Sequence, residues 1–296
     1  MNFDIIVPCY NSEETVARTL ESIAGQTVDN WKCIIINDGS TDNSITVIQE
    51  FLATLPEEIA SKFVMHHFEN GGLGEARTRG ARLATSDFFT FIDADDVFVQ
   101  NFVELFTAKL LSLPDPESIS IITCPVDRVN EYGRRMGVLN NADVQEVTNP
   151  DRFITQSCYQ GSSFMQTAGY AFKTEEYRDL FYQPPIYNED YASMPYLVGV
   201  ANKILKVNEP CYTYVKNPKG ITLNKDREHQ IKYCGDGIKA CEMAQEAVLF
   251  LGRTGRLKDE TVRAVKYQML RCGSWFARSN PKNLALPSLH HERTTS

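Results

Sequence analysis

The chain has 296 residues, 43% of them hydrophobic and 23% charged, with a formal net charge of −8. That balance belongs to a globular protein with a sizeable core, either one large domain or two closely packed ones, and excludes a disordered chain. Residues 1–219 carry 17 Lys+Arg against 30 Asp+Glu, a net −13, while residues 220–296 carry 13 against 8, a net +5. The acidic body excludes broad nucleic-acid binding, which rests on phosphate neutralisation.

The basic tail suits solvated helix faces or peripheral contact with an anionic membrane surface. No run of residues reaches the apolar length of a membrane span, so no transmembrane segment is expected. Met1-Asn2-Phe3-Asp4 leads straight into an apolar strand without a basic leader. The expected location is therefore the cytoplasm, with the inner face of the membrane as the surface the tail would meet. The eight cysteines form no C-x-x-C pair and several sit in apolar runs, as reduced core residues do. His66 and His67 lie in a strand-like run and point to opposite faces, which argues against zinc.

In chain order, Phe3–Val7 is an apolar strand ending at Pro8. Asn11 with Glu14 resembles a capping box, followed by Val16, Leu20 and Ile23 at helical spacing up to Gly25. Trp31–Asn37 is a second strand, then the turn Asp38-Gly39-Ser40-Thr41-Asp42, then a helix with Ile45, Ile48 and Phe51-Leu52 inward. Phe63–Phe68 is a third strand, Asn70–Gly74 a glycine-rich loop, Glu75–Ala84 a helix and Asp87–Ile92 a fourth strand. Strands alternating with helices through short turns predict a parallel sheet covered on both faces, with ligands at the carboxyl ends of its strands.

Beyond Asn101 the alternation loosens. A helix over Phe102–Leu113, a strand over Ile119–Thr123 and a polar hairpin around Tyr132-Gly133 come first. Tyr170–Lys173 and Lys203–Val207 read as strands, with a helix opened by Asn188-Glu189-Asp190 between them. Pro195 falls inside that helix and predicts a kink or a late start. From Asp226 the pattern is helical, and Val262, Val265, Met269, Cys272 and Phe276 predict a helical hairpin packed on the body.

Four polar clusters sit at strand or helix ends. Asp93-Ala94-Asp95-Asp96 supplies hard oxygen ligands suited to Mg²⁺ or Mn²⁺ beside a diphosphate, although alone it also reads as a capped turn. Asp38 heads a turn where a carboxylate can accept from a base or a ribose, or simply cap the next helix. The loop Asn70-Gly71-Gly72-Leu73-Gly74 allows close backbone approach, and Arg77 or Arg79 behind it can meet phosphate, but it lacks the ending of a P-loop. Glu189-Asp190 is an acid pair able to take a proton from a hydroxyl, or merely a favourable helix start.

The order and spacing of Val7-Pro8-Cys9-Tyr10-Asn11, the Asp38 turn, Asn70 through Gly80, the Asp93 cluster and Asn188-Glu189-Asp190 resemble the family 2 glycosyltransferases of the GT-A fold. The resemblance covers roughly residues 1–215 and is most specific over 1–96. It implies an α/β fold, a mixed, mainly parallel sheet flanked by helices, with a C-terminal helical extension. Residues 1–100 would be the nucleotide-sugar-binding half, 101–220 the acceptor-binding half and 221–296 a helical segment.

It further implies an inverting transferase using a nucleotide-sugar donor, most often a UDP-sugar, with Mn²⁺ or Mg²⁺. The acceptor would be a glycan or a lipid-linked precursor of a cell-surface polysaccharide. By position Pro8, Tyr10, Asn11 and Asp38 would line the uridine pocket with Asn70 and Arg77 beside them, Asp93 would face ribose and Asp95 would hold the metal. Asp190 would be the catalytic base, with Glu189 as its neighbour. Thr78 stands where the family usually has Asn, which implies that part of the donor contact is altered. No Gln-x-x-Arg-Trp motif is present, so single transfers are expected rather than polymerisation. The competing reading is a catalytically inactive nucleotide-binding or scaffold protein of the same fold.

Overall fold

The computed structural model describes residues 1–162 and 164–282. Its first part alternates β1 (Phe3–Cys9), α1 (Val16–Ala24), β2 (Trp31–Asp38), α2 (Ser44–Ala53), α3 (Glu57–Ala60), β3 (Phe63–Phe68), α4 (Leu73–Leu83) and β4 (Phe88–Phe91). After β5 (Val97–Phe98) and α5 (Phe102–Leu111) come β6 (Ile119–Thr123), β7 (Val126–Val129), β8 (Arg135–Leu139), β9 (Val147–Thr148) and α6 (Pro150–Tyr159). The chain continues through β10 (Tyr170–Lys173), α7 (Thr174–Tyr177), α8 (Glu189–Gly199), β11 (Lys203–Lys206) and β12 (Tyr212–Val215). It closes on α9 (Arg227–Arg253) and α10 (Asp259–Ser279).

One eight-stranded sheet runs in the order β3-β2-β1-β4-β10-β6-β11-β9. Strands β1 to β4 are parallel, so Cys9, Asp38, Phe68 and Phe91 all end at the same edge. Strand β10 runs antiparallel to both β4 and β6, which makes the sheet mixed and carries it across into the second half of the chain. Side chains alternate between two cores, as the pleat requires. Phe3, Ile5 and Val7 face one core with Leu20, Phe102 and Phe106. Ile6, Ile36 and Phe91 face the other with Phe172, Met194 and Val265. Gly80 has no side chain because α4 crosses β1 there, and an added Cβ would collide with Ile6.

A second, four-stranded sheet in the order β5-β12-β7-β8 was not foreseen. Its β7–β8 pair is the hairpin expected around Gly133, whose φ is 77°. In the helical extension α9 packs on α8 and α10 packs on α9 and α6.

Two local expectations are corrected. Asn11 does not cap α1: its φ is 48°, its Oδ1 accepts from the Thr41 N–H at 2.8 Å, and α1 begins at Val16 without a side-chain cap. The sequence spacing of a capping box was met, but the neighbouring turn offered Asn11 a stronger partner. The late start is also excluded, because α8 begins at Glu189 and runs through Pro195. The proline removes one intrahelical bond, and burial of Ala192, Met194, Leu197 and Val198 holds the helix together.

Candidate active site

The carboxyl edge of the sheet opens into a cleft of about 1220 Å³. That exceeds the roughly 300–1,000 Å³ usual for one small ligand, so there is room for two substrates. Pro8, Tyr10, Asn11, Asp38, Asn70, Arg77, Asp93, Asp95, Glu189 and Asp190 all line it. Residues separated by up to 182 positions, from Pro8 to Asp190, thus share one cavity because β1 to β4 end together and α8 starts opposite them.

The first rim is built from turns that hold one another. Asn11 N–H donates to Ser40 Oγ at 3.2 Å while its own amide oxygen holds Thr41, joining the β1 and β2 turns. Asp38 is buried, and its two oxygens accept from the Gly71 and Gly72 N–H groups at 2.9 and 2.8 Å. Arg79 Nη1 adds a contact at 3.1 Å, so Arg79 serves Asp38 and does not line the cleft. Asn70 Nδ2 donates to the Asp38 carbonyl at 3.0 Å. Thr78 lies on the buried face of α4, donating to the Gly74 carbonyl and accepting from Gln183 N–H at 3.0 Å, away from the cleft lining. Its hydroxyl fixes the glycine loop against the segment leading to the acid pair.

The acidic cluster after β4 divides its labour. Asp93 Oδ1 accepts from Arg77 Nη2 at 2.6 Å, and Asp95 Oδ2 accepts from Asn217 Nδ2 at 2.9 Å. Burial, and then the charge of Asp93, lift the Asp95 carboxyl above its ordinary range. Asp96 turns away, accepting from Tyr212 Oη at 2.6 Å and Val215 N–H at 2.8 Å, and anchors β12 beneath the site.

Asn188, in the left-handed region at φ 61°, turns the chain into α8 and brings the two acids to the cleft. Asparagine tolerates that conformation better than other residues bearing a Cβ. Glu189 Oε1 accepts from Arg77 Nη1 at 2.7 Å, so one guanidinium joins Asp93, just after β4, to the acid pair. Gln183 Oε1 accepts from the same nitrogen at 3.2 Å. Burial lowers the pKa of Arg77, but Asp93 and Glu189 outweigh it and keep the guanidinium charged. Burial raises Glu189 more than Arg77 lowers it. Asp190 is pushed up to about 8, by burial first and the charge of Glu189 second, with Arg77 opposing.

Several members of the site carried no local signal. Gln183, Asn217 and Tyr212 are isolated polar residues in unmarked stretches, recognisable only through their partners 106, 122 and 116 residues away. The far wall comes from the extension, where Tyr233, Cys272, Trp275 and Phe276 line the cleft.

The model for Glycosyl transferase family 2 matches residues 4–177, more than half of the chain. The chain belongs to that family. This family 2 glycosyltransferase is 30% identical over 107 residues to the Escherichia coli UDP-Glc:alpha-D-GlcNAc-diphosphoundecaprenol beta-1,3-glucosyltransferase WfgD, covering 36% of this chain and 40% of WfgD. It spans less than half the length of most of the curated relatives that it matches. Its fold is that of S. aureus TarS 1–349 in complex with UDP-GlcNAc, with a TM-score of 0.71 at 19% identity over 97% of this chain and 76% of that one. The mannosyltransferase PcManGT from Pyrobaculum calidifontis, in complex with GDP-Man and Mn²⁺, gives a TM-score of 0.60 at 16% identity over 96% and 74% of the two chains. At these identities the likeness is one of fold, and it includes the mainly parallel sheet flanked by helices. Among the described residues no helix is long and apolar enough to cross a membrane.

Proposed function

We propose that this glycosyltransferase moves a sugar from a UDP-sugar to a hydroxyl of a glycan or lipid-linked acceptor, with inversion and with help from Mn²⁺ or Mg²⁺, in cell-surface polysaccharide synthesis. The observation that carries the reading is the single cleft in which Asp93 and Asp95 meet Glu189 and Asp190, joined through Arg77. The complexes of TarS with UDP-GlcNAc and of PcManGT with GDP-Man and Mn²⁺ support a nucleotide-sugar and a cation. The UDP-Glc and diphosphoundecaprenol in the name of WfgD support the donor base and a lipid-linked acceptor. Cytoplasmic work, with the extension near the inner membrane face, is part of the same proposal.

In this reading Pro8, Tyr10, Asn11, Asp38 and Asn70 form the uridine side, Asp93 faces ribose and Asp95 holds the cation. The residues fit such an ion. Among the described residues no group of three or more His, Cys, Asp or Glu is placed to hold a metal alone. Mg²⁺ is commonly held by one or two carboxylates completed by substrate phosphates. The raised pKa of Asp95 marks a buried carboxylate that a nearby cation would relieve. When bound, the ion neutralises charge on the departing diphosphate. Asp190 takes the acceptor proton while the acceptor oxygen bonds to the anomeric carbon. The bond from that carbon to the phosphate oxygen breaks on the opposite face, and its electron pair leaves with UDP.

The decisive experiment is UDP release from a panel of UDP-sugars with Mn²⁺, Mg²⁺ or EDTA. Release that depends on the cation supports the proposal, and an inactive nucleotide-binding protein would give none. Asp95→Ala is expected to abolish cation-stimulated release with little change in Tm, because the loss of one hydrogen bond from Asn217 is offset by removal of a carboxylate whose burial is unfavourable. Full turnover of the native protein in EDTA would remove the metal from the proposal. Asp38→Ala is expected to weaken UDP binding by about 1–3 kcal/mol, the usual worth of a hydrogen bond to a charged group. Calorimetry with unchanged affinity would leave Asp38 with its structural hold on Gly71, Gly72 and Arg79.

A further inference from the structure

The acceptor side of the cleft carries an aromatic wall that no motif announced. Tyr187 precedes α8, Tyr233 comes from α9, and Trp275 and Phe276 come from α10, and all four line the cleft with Asp190. Phe276 is the buried root of the wall, at 4% exposure. It sits over Gly237 of α9, where an added Cβ would lie 2.6 Å from its ring, so the crossing of α9 and α10 is closed at that point. Tyr233 meets Phe276 at 5.9 Å and Tyr187 at 6.0 Å between ring centroids. Trp275 stands edge-on to Phe276 at 5.0 Å yet remains 53% exposed.

A single exposed tryptophan is ordinary surface. This one is held by a packed neighbour at the border of a cleft that also contains the acid pair. Burial chiefly raises the pKa of the Tyr233 phenol, a hydrogen bond with Thr222 opposes the rise, and the charges of nearby Asp190 and Glu189 add to it.

We propose that Trp275 and Tyr233 form a stacking subsite for the terminal pyranose of the acceptor, placing one of its hydroxyls at Asp190. The inference rests on the glycosyltransferase reading above and specifies the acceptor's chemical class. Inversion requires the acceptor to approach from the side of the base, and the aromatic surfaces that the extension contributes to the cleft shared with Asp190 are these rings. One face of a pyranose presents C–H groups, which match the negative face of an aromatic ring, while its hydroxyls remain free for hydrogen bonds. A phosphate-bearing polyol would need a free cation instead. Lys232, the cation beside these rings, is engaged by Asp236 at 2.6 Å and by the Tyr187 ring at 4.2 Å, while Arg128 and Lys219, which also line the cleft, come from β7 and from the segment after β12.

The chain has two tryptophans, and the other, Trp31, is buried against Phe63 on the far part of the sheet. In a Trp31→Phe background the emission therefore reports Trp275 alone. Titration with the methyl glycosides of glucose, galactose, mannose and N-acetylglucosamine, each with UDP and Mn²⁺ present, is expected to give a saturable change with at least one of them. Ribitol phosphate and glycerol phosphate are expected to give none. In transfer assays with the glycoside that binds, Trp275→Ala should raise acceptor KM at least tenfold with a smaller fall in kcat, and Trp275→Phe should restore most of the loss. Emission that ignores every glycoside, or responds only to the polyol phosphates, overturns the subsite. Failure of the native protein to release UDP from any UDP-sugar overturns the UDP-sugar reading instead, and the fluorescence titration still decides the aromatic site.

Discussion

Asp190→Asn is expected to lower sugar transfer by ~10²-fold or more while leaving UDP-sugar affinity nearly unchanged, the pattern of a group that acts in the transition state. Asparagine keeps the size of the side chain and the acceptor oxygen for the Tyr191 N–H, 2.9 Å from Asp190 Oδ1, but cannot take a proton. The pH profile gives a second reading. A base works only when deprotonated, and Asp190 is raised from 3.8 to about 8 by burial and by Glu189. The acid limb of kcat should therefore lie above the ordinary carboxylate range, with activity rising as pH climbs through it. A bound cation nearby draws the limb downward from about 8. Glu189→Gln should be milder on the chemical step, because Glu189 is held by Arg77 and bonds to its guanidinium. Near-native transfer by Asp190→Asn together with loss in Glu189→Gln would exchange the two roles. Activity in both would place the base elsewhere.

The alternation of the first hundred residues was legible because each strand and helix there is specified by its own period, and parallel strands must end together. That alone carries Asn11, Asp38, Asn70 and Asp93 to one edge of the sheet. Bounds moved by a residue or two, as for Asp38, which continues β2 in register with Phe68. Contacts between distant segments were not legible. The second sheet pairs the two-residue strand β5 with β12, more than a hundred positions later, and a pair so short has no periodicity to read. The Asp93-Ala94-Asp95-Asp96 cluster looked uniform, yet Asp96 faces Tyr212 while Asp93 and Asp95 face the cleft. Only the folded backbone separates them. Asn11 shows the same limit at short range, since a capping box and a turn-to-turn tie begin with the same residue.

Arg77 is where local and distant information meet, and its replacement should have the largest effect on the fold. The resemblance set it beside the uridine pocket, and the structure gives its guanidinium to Asp93 at 2.6 Å and Glu189 at 2.7 Å, with only 5% of the side chain exposed. Arg77→Met fills most of the space but leaves Glu189, 9% exposed, without its cation. Removing one partner of a buried pair typically costs about 3–5 kcal/mol, because the remaining charge is uncompensated. The sign of the pH dependence follows from Glu189. Its pKa is already raised by burial against the pull of Arg77, and without Arg77 it rises further. A carboxyl raised in the folded state is most favourable to folding when protonated, and that benefit fades as pH increases through its folded pKa. The deficit of Arg77→Met relative to the native protein should therefore be greatest at neutral and alkaline pH and shrink as the solution is acidified. Urea denaturation across pH measures it, and a deficit that stays constant with pH would mean that Arg77 acts through packing alone. Transfer should be lost in the same variant even where it is folded, since Asp93 and the acid pair are then no longer tied to one another.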